Sequence, residues 1–302
     1  MIGGTLQKAW FAFCLAFLLC LTRPAFADEP AEPDSTPATE AVEADVQAEA
    51  NAETQELRKA ILEDAVDALQ KSREALTALE EDRIDEALDA LAFAAGKLEL
   101  IVARDPELAL AATDVSIRSH DLYATTESIE TAIDIARKAL KDGDIQKARH
   151  ILDGMGSEIV ITVHSLPLAT YPDAIKAVTP LIDAGKIGEA TERLQAALNT
   201  MVLEDHILPL PILRAGGMLE VANDLASKEE RNDEELRQLE DALSYIREQL
   251  ELGAILGYGD RDAYEDLVAS LDDIEEQLGA GEPVDKLLAG IRESLDEVLN
   301  GS

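Results

Sequence analysis

The sequence predicts a mainly α-helical protein in which helical hairpins repeat and pack as an antiparallel helical bundle, with room for one short two-stranded β element. Three observations support this fold class. Ala and Leu dominate while aromatic residues make up only 4%, which suits closely packed helices better than sheets. Apolar residues recur every three or four positions over most of the chain. One hairpin pattern also occurs three times.

Residues 1–27 resemble a secretory signal peptide. Lys8 precedes an apolar stretch from Ala9 to Leu21, and Ala25-Phe26-Ala27 places small residues where a signal peptidase requires them. We therefore predict cleavage after Ala27 and a periplasmic mature protein, the alternative being an uncleaved anchor. The stretch is shorter than the roughly 20 residues of a membrane-spanning helix, so no membrane span is expected after cleavage.

Cleavage would leave a mature chain without cysteine and with a large negative charge. Both cysteines, Cys14 and Cys20, lie inside the predicted signal, so disulfides, thiol nucleophiles and cysteine metal sites are excluded from the mature protein. The mature chain has 24 Lys+Arg against 62 Asp+Glu, a formal charge of −38. Such a surface repels nucleic acid and anionic lipid, which we exclude as primary partners.

Residues 28–52 are acidic and contain Pro30, Pro33 and Pro37 but no large apolar cluster. Such a segment buries too little surface to offset its chain entropy, so we predict a disordered acidic linker. Helical periodicity then begins at about Glu53 and predicts one long helix to Leu79, followed by a second helix from Ile84 to Ile101.

The hairpin pattern is Ile-x-x-Ala-x-x-x-Leu, and it begins at Ile84, Ile145 and Ile187. A proline follows 22 residues after each isoleucine, and the second and third copies are 42 residues apart without a gap. Asp82, Gly143 and Gly185 occupy the turn before each copy. We interpret each copy as a helical hairpin in which the turn residue ends one helix and alanine allows close packing, with proline ending or restarting the next helix.

Two segments depart from helical periodicity. Residues 115–119 alternate apolar and polar side chains, and residues 159–163 are β-branched throughout. Each fits a short strand, and the two could pair; a buried helix is an equal alternative for the second. Beyond them, helices are predicted at about 233–252 and 261–278 and from Pro283 to Leu299, forming a C-terminal helical extension over 228–302.

The region 53–227 resembles the YfdX family. The resemblance is carried by residues 139–144 (Ala-Leu-Lys-Asp-Gly-Asp), 164–168 (His-Ser-Leu-Pro-Leu) and 177–198, within a run from Leu122 to Pro211. It implies a bacterial, exported, helical protein linked to stress responses, including acid stress, with chaperone-like behaviour and no enzymatic activity. The acidic linker and the C-terminal extension are not covered by it.

No catalytic, cofactor or metal site is predicted, because motifs such as H-E-x-x-H, the P-loop and G-x-S-x-G are missing from the sequence. The candidate positions are two equivalent turns, each with a histidine before a proline. Two functions are open for these turns: a pH-sensitive switch, since free imidazole titrates near pH 6.5, or a metal or ligand site. Structural turn histidines are the third alternative. The candidate residues are His164, Leu166, Pro167, Tyr171, His206, Leu208 and Pro209.

The sequence therefore predicts an exported, non-enzymatic, stress-associated protein that acts as a chaperone or partner-binding protein and responds to acid. Its expected partners are unfolded client proteins, a periplasmic protein or further copies of itself. The alternative is a periplasmic protein that binds a small ligand or metal at the His164 and His206 turns. No cofactor is expected.

Overall fold

The computed structural model describes residues 36–228, 230–280 and 283–301. The predicted signal peptide lies outside these residues. The helices are α1 (Pro37–Arg58), α2 (Glu63–Glu80), α3 (Ile84–Arg104), α4 (Thr126–Asp142), α5 (Ile145–Leu152), α6 (Tyr171–Lys176), α7 (Thr179–Asp183), α8 (Ile187–Leu198), α9 (Leu210–Ala226), α10 (Asp233–Leu256), α11 (Arg261–Gly279) and α12 (Asp285–Gly301). The strands are β1 (Leu110–His120), β2 (Glu158–Pro167) and β3 (Val202–Pro209). The predicted mainly α-helical fold is confirmed.

The three predicted hairpin turns are present and share one backbone conformation. Asp82, Gly143 and Gly185 have φ of 59°, 84° and 71°, the left-handed region that ends a helix and reverses the chain. Gly143, for example, ends α4, and its N–H donates to the Leu140 carbonyl. Local sequence thus determines where each helical hairpin reverses.

A strand follows each hairpin, so the repeating unit is two helices and a strand. The units are α2-α3-β1, α4-α5-β2 and α7-α8-β3. The strands form one antiparallel sheet in the order β1-β2-β3. The prolines at 167 and 209 end strands rather than helices, because proline cannot donate a hydrogen bond to a ladder that continues.

The predicted pairing of residues 115–119 with 159–163 is confirmed. Val115 lies opposite Val163, Ile117 opposite Ile161, and Ser119 opposite Ile159. The β element is nevertheless larger than predicted, because β3 adds a third strand to the other side of β2. Residues 203–207 of β3 are exposed on both faces, so the strand lacks the alternating burial that a sequence pattern would reveal.

Hydrophobic clusters contact the two faces of the sheet. Ala112, Val115, Ile159, Ile161 and Val163 belong to the first cluster, together with α1 and α9 to α12. Ala111 and Leu166, which lie opposite each other, belong to the second cluster, with α2, α3 and α6 to α8. Since neighbouring strand residues point to opposite faces, the second cluster contacts the opposite face of the sheet, at the end of β1 and β2 where Ala111 and Leu166 lie.

The predicted disordered linker over 28–52 is wrong from residue 37 onward; residues 28–35 lie outside the described residues. Helix α1 starts there with a Thr36 capping box, and it buries Val42, Val46 and Ala50 in the first cluster. These three apolar side chains recur at four-residue spacing, which places them on one face of a helix. Their burial supplies the stabilisation that composition alone did not suggest.

The predicted single helix from Glu53 to Leu79 is interrupted at residues 59–62. There the Leu62 N–H donates to the Ala112 carbonyl of β1 at 3.0 Å, a tertiary hydrogen bond that no local pattern encodes. The predicted C-terminal helices correspond to α10, α11 and α12. They share the first cluster with α1, α9 and the sheet instead of standing apart as an appended unit.

Candidate functional site

The seven candidate residues lie mostly in strands, which corrects their assignment to turns. His164, Leu166 and Pro167 are in β2, and His206, Leu208 and Pro209 are in β3. A residue that precedes proline favours extended backbone, and each His-x-x-Pro segment extends a strand for that reason. Tyr171 opens α6.

The structure does not bring His164 and His206 together. His206 lies opposite Ile161, whereas His164 lies three residues further along β2, opposite Leu203. An odd separation along a strand places side chains on opposite faces. The His164 Nε2 lies 3.1 Å from the Ser116 hydroxyl, and the His206 side chain is exposed.

The remaining candidate residues are packing positions. Leu166 and Tyr171 are fully buried in the second cluster, and burial raises the pKa of the Tyr171 phenol, against an opposing effect of the Ser72 hydroxyl. Leu208 packs against the first cluster, and Pro209 is buried and precedes α9.

The structure shows an ion-pair network around a largely buried arginine, which sequence reasoning missed. Arg214 of α9 donates two hydrogen bonds to Asp121, Nη1 to Oδ1 at 3.0 Å and Nη2 to Oδ2 at 2.6 Å, and its Nε donates to Glu43 of α1. The Ser157 hydroxyl donates to Asp121 Oδ1 at 2.9 Å. We call these four residues the Arg214 cluster. Arg214 is only 11% exposed, and it joins segments far apart in sequence.

The environment of the Arg214 cluster keeps Arg214 and Asp121 charged. Burial, the largest single influence on Asp121, would raise its pKa. Hydrogen bonds and charge from Arg214, with help from Ser157 and Tyr123, outweigh burial and hold that pKa below its usual range. Burial alone would lower the pKa of the Arg214 guanidinium, because it disfavours the charged form. Hydrogen bonds and negative charge from Asp121 and Glu43 outweigh burial and raise that pKa. Nearby, burial raises the pKa of Tyr245 to about 12.

A shallow groove of about 550 Å³ lies beside this cluster. Arg118, His120, Glu158 and Tyr258 are among its lining residues. The Tyr258 hydroxyl accepts from the Ser157 N–H at 2.9 Å and donates to Glu158 Oε2 at 2.7 Å. The polar groups here therefore bond to each other, and the arrangement braces the loop after α10 against β2.

The α4–α5 hairpin exposes large apolar side chains. Ile135, Leu140, Ile145 and Leu152 are 44%, 51%, 62% and 47% exposed; we call these four residues the hairpin surface. The hairpin also exposes five basic residues, Arg137, Lys138, Lys141, Lys147 and Arg149. They balance five exposed acidic residues, Glu127, Glu130, Asp134, Asp142 and Asp144. The hairpin is therefore close to neutral in a chain whose overall formal charge is −36.

The equivalent helix of the next repeat shows what is unusual about this hairpin. Leu194 of α8 corresponds to Leu152 of α5, and it is fully buried because α8 packs on α2 and α6. Ala148 is buried, like its counterpart Ala190, but Leu152 is 47% exposed. Helix α4 packs on α10, whereas the apolar pattern of a packed repeat on α5 remains exposed at Ile145 and Leu152.

Within the described parts of the chain, no group of three or more His, Cys, Asp and Glu side chains is placed to hold a metal ion. None of the described helices is long and apolar enough to cross a membrane.

Comparison with known proteins finds one family. The family model described as YfdX protein matches residues 68–206. No curated protein matches the sequence. A solved structure of Salmonella Typhi YfdX is similar with 19% identity over 50% of this chain and 93% of that chain, with a TM-score of 0.34. The similarity to the YfdX family therefore rests on the sequence match over residues 68–206.

Proposed function

Because residues 68–206 of this chain are a YfdX-family region, we propose that it is an exported, non-enzymatic protein of chaperone-like function that binds unfolded clients and responds to acid. The observation that carries the proposal is the hairpin surface. Its four apolar side chains have the spacing of a packed repeat but remain exposed, and exposed apolar patches on soluble proteins mark interaction sites.

The charge distribution supports the same role. Apolar client segments would contact the hairpin surface, where exposed acidic and basic residues are equal in number. The rest of the chain has a large excess of carboxylates, so mutual repulsion keeps complexes soluble near neutral pH. Below about pH 4 most carboxylates lose their charge, which weakens repulsion within the protein and between protein and client.

The test is suppression of client aggregation, followed by light scattering at pH 7.0 and pH 4.5 with a reduced, aggregating client. We expect the protein to slow aggregation, more strongly at the lower pH. The double variant Leu140→Ser with Ile145→Ser should lose most of this effect, because it removes the two most exposed apolar side chains of the hairpin surface.

The matched control is Leu100→Ser with Leu236→Ser. These leucines are 49% and 41% exposed on α3 and α10, so the control removes similar apolar area elsewhere. Circular dichroism of both double variants checks that the fold is intact. No slowing of aggregation by the unaltered protein at either pH would refute the proposed function.

Export is the second part of the proposal, and it rests on Lys8, the apolar stretch and Ala25-Phe26-Ala27. N-terminal sequencing of the protein recovered from a periplasmic fraction should give Asp28 as the first residue. Recovery of the uncleaved chain from the cytoplasm would contradict it. The alternative of a shared ligand or metal site at His164 and His206 is not favoured, because these side chains point to opposite faces of the sheet.

A further inference from the structure

The repeated Ile-x-x-Ala-x-x-x-Leu pattern is buried to different extents in its three copies. The alanine is buried in every copy. The leucine is buried in the first and third copies, where Leu91 and Leu194 are 2% and 0% exposed. In the second copy, on α5, Leu152 is 47% exposed and Ile145 is 62% exposed. The same helix face is therefore covered twice and left open once.

Helix α2 packs against the pattern in both covered copies. It contacts α3 and α8, and its buried apolar side chains belong to the second cluster, as Leu91 and Leu194 do. The buried side chains of α2 are small apart from two leucines, and they recur every three or four residues along one face. They are Ala65, Ala68, Leu69, Ser72, Ala75, Ala78 and Leu79. The chain thus contains its own example of a helix that fits this pattern.

The open face of α5 continues beyond the helix. Ile145 and Leu152 are seven residues apart, so their side chains point in nearly the same direction and lie about 10 Å apart along the helix axis. Leu152 also lines the groove of about 550 Å³, together with the partly exposed Met155 and Leu256. We call these four residues the α5 strip. It is long enough to contact at least two turns of a partner helix.

The groove at the end of the α5 strip has an arginine that is available to a ligand. Glu158 accepts a hydrogen bond from the Tyr258 hydroxyl, and Asp153 pairs with Arg149 at 3.6 Å. Arg118 is exposed, and its guanidinium has no hydrogen bond or ion pair to any of the described residues. Because arginine binds carboxylates through two parallel hydrogen bonds, the groove favours a ligand with a carboxylate.

We propose that the α5 strip binds an amphipathic helix of a partner protein, whose apolar stripe resembles that of α2 and whose Asp or Glu near one end pairs with Arg118. The inference rests on the proposed function, and it specifies the kind of partner that the hairpin surface recognises. Ile145 and Leu152 project from α5, and small side chains on the partner leave room for them, as Ala and Ser do on α2. An extended segment has a repeat of two residues and does not present such a stripe.

A peptide of α2 is a suitable probe, because its sequence forms the complementary stripe and has carboxylates at both ends. The fluorescein-labelled peptide Glu63–Glu80 should bind the full chain in a fluorescence anisotropy titration. Its circular dichroism should gain helical signal in the complex, since a free helix of this length is marginal in water.

Two peptide variants test whether the bound form is helical. Gln70 is exposed on α2, so substituting it leaves the apolar stripe unchanged. The Gln70→Pro peptide should lose binding, because proline breaks a helix interior. The Gln70→Ala peptide should bind like the original.

Variants of the protein locate the apolar part of the site. Ile145→Ser with Leu152→Ser should weaken peptide binding by about tenfold or more, because it removes two apolar side chains that the bound helix would bury. The matched control is Leu100→Ser with Leu236→Ser, at exposed positions of α3 and α10, and it should leave the affinity unchanged. All four substituted positions are exposed, and circular dichroism checks that both variants fold.

A second pair of variants tests the charged end of the site. Arg118→Gln should weaken peptide binding by about threefold or more, because it removes the cation that the carboxylate would meet. Arg193→Gln, at an exposed position of α8, should leave the affinity unchanged.

Each outcome decides the proposal. Binding that requires a helical peptide, the α5 strip and Arg118 supports it. Equal binding of the Gln70→Pro peptide, or of the Ile145→Ser with Leu152→Ser variant, overturns it. An altered oligomeric state of that variant in analytical ultracentrifugation would assign the strip to contacts between copies of this chain, and this result also overturns it.

The result is separable from the test of the proposed function. Slowed client aggregation by the unaltered protein, without peptide binding, overturns the helix site and leaves the proposed function standing. Peptide binding without slowed aggregation supports the helix site and refutes the proposed function.

Discussion

At the scale of single residues, Arg214 organises more of the structure than any other charged side chain described above. It contacts Glu43 from α1 and Asp121 from the segment after β1, while Ser157 bonds to the same aspartate just before β2. Removing one partner of a buried ion pair leaves the other charge without compensation, which costs about 3–5 kcal/mol. The fold therefore depends chiefly on the pair of Arg214 with Asp121, since Glu43 is 43% exposed.

The Arg214 cluster gives a pH-dependent prediction. Arg214 holds the pKa of Asp121 below its unfolded value, so the ionised carboxylate stabilises the fold at neutral pH, and this contribution is lost as pH falls below about 4. Urea unfolding should show Asp121→Asn destabilised at pH 7 and the difference from the unaltered protein shrinking toward pH 3.

Asp134→Asn is the control for that measurement. Asp134 pairs with Arg137 in an exposed position on α4, where ion pairs contribute between 0 and about 1 kcal/mol. A loss at Asp121→Asn that stays constant from pH 7 to pH 3 would contradict the role assigned to the carboxylate charge.

Gly253 gives a second prediction at this scale. An added Cβ would lie 2.9 Å from the Tyr264 hydroxyl and 3.1 Å from Ile212 Cδ1, where α10 packs closely on α11 and α9. Gly253→Ala should therefore destabilise the protein by about 1–3 kcal/mol, although alanine favours helices. Gly96→Ala in α3, where nothing lies within 4 Å, should stabilise it by about 0.5–1 kcal/mol. Thermal unfolding of the two variants should show a lower melting temperature for Gly253→Ala and a higher one for Gly96→Ala than for the unaltered protein.

At the scale of elements, α1 shows how a polar segment becomes part of a core. Its sequence is rich in Ala and Glu, and only Val42, Val46, Ala50 and Thr54 are buried. One narrow apolar stripe suffices because α9 and the sheet supply the rest of the contact. Position along a helix, rather than mean hydropathy, decides whether such a segment folds.

Because α1 is packed in the core, a substitution on its buried face should strongly destabilise the protein, although the composition of this segment is typical of a linker. Val46→Asp should destabilise the protein by about 3 kcal/mol or more, because it places a charge in the first cluster without a partner. Ala48→Asp, at an exposed position of the same helix, should have little effect. Equal urea midpoints for both variants would show that α1 does not pack as described.

Elements differ in how far sequence predicts them, and the reasons are local. The turns at Asp82, Gly143 and Gly185 were predictable because each depends on one residue in a left-handed conformation. The pairing of β1 with β2 was predictable from alternation and β-branching. Strand β3 has neither signal, but β2 shifted by the 42-residue repeat falls on it, and that spacing was the available clue.

The candidate site was less predictable than the fold. His164 and His206 occupy equivalent repeat positions, yet successive strands run antiparallel, so repeat equivalence does not place side chains on one face. The Arg214 cluster joins residues up to 171 positions apart, and no local pattern connects them. The hairpin surface could not be predicted from the sequence, because equivalent positions of two repeats have the same apolar pattern but differ in burial, as Leu152 and Leu194 do.

At the scale of the whole molecule, charge is the dominant property. The formal charge is −36 for the full sequence, and like charges spread over one folded body repel each other. Salt screens this repulsion, since the Debye length falls to about 10 Å at 0.1 M. We expect the melting temperature at pH 7 to rise by several degrees between about 20 mM and 500 mM NaCl.

The same salt series at pH 4 provides the control. Protonation removes much of the carboxylate charge there, so the gain from salt should be small. A melting temperature that is independent of salt at pH 7, or a larger gain at pH 4, would contradict an electrostatic limit on stability.

The first hydrophobic cluster has a consequence for the order in which the chain folds. It contains Val42 near the start of the described residues and Val298 near their end, so one of its walls comes from the first helix and another from the last. A ribosome delivers residues in order, and contacts between distant residues form late. Until α12 is synthesised, the first cluster lacks one of its walls, although every residue of the second cluster, from Ala65 to Met201, is already present.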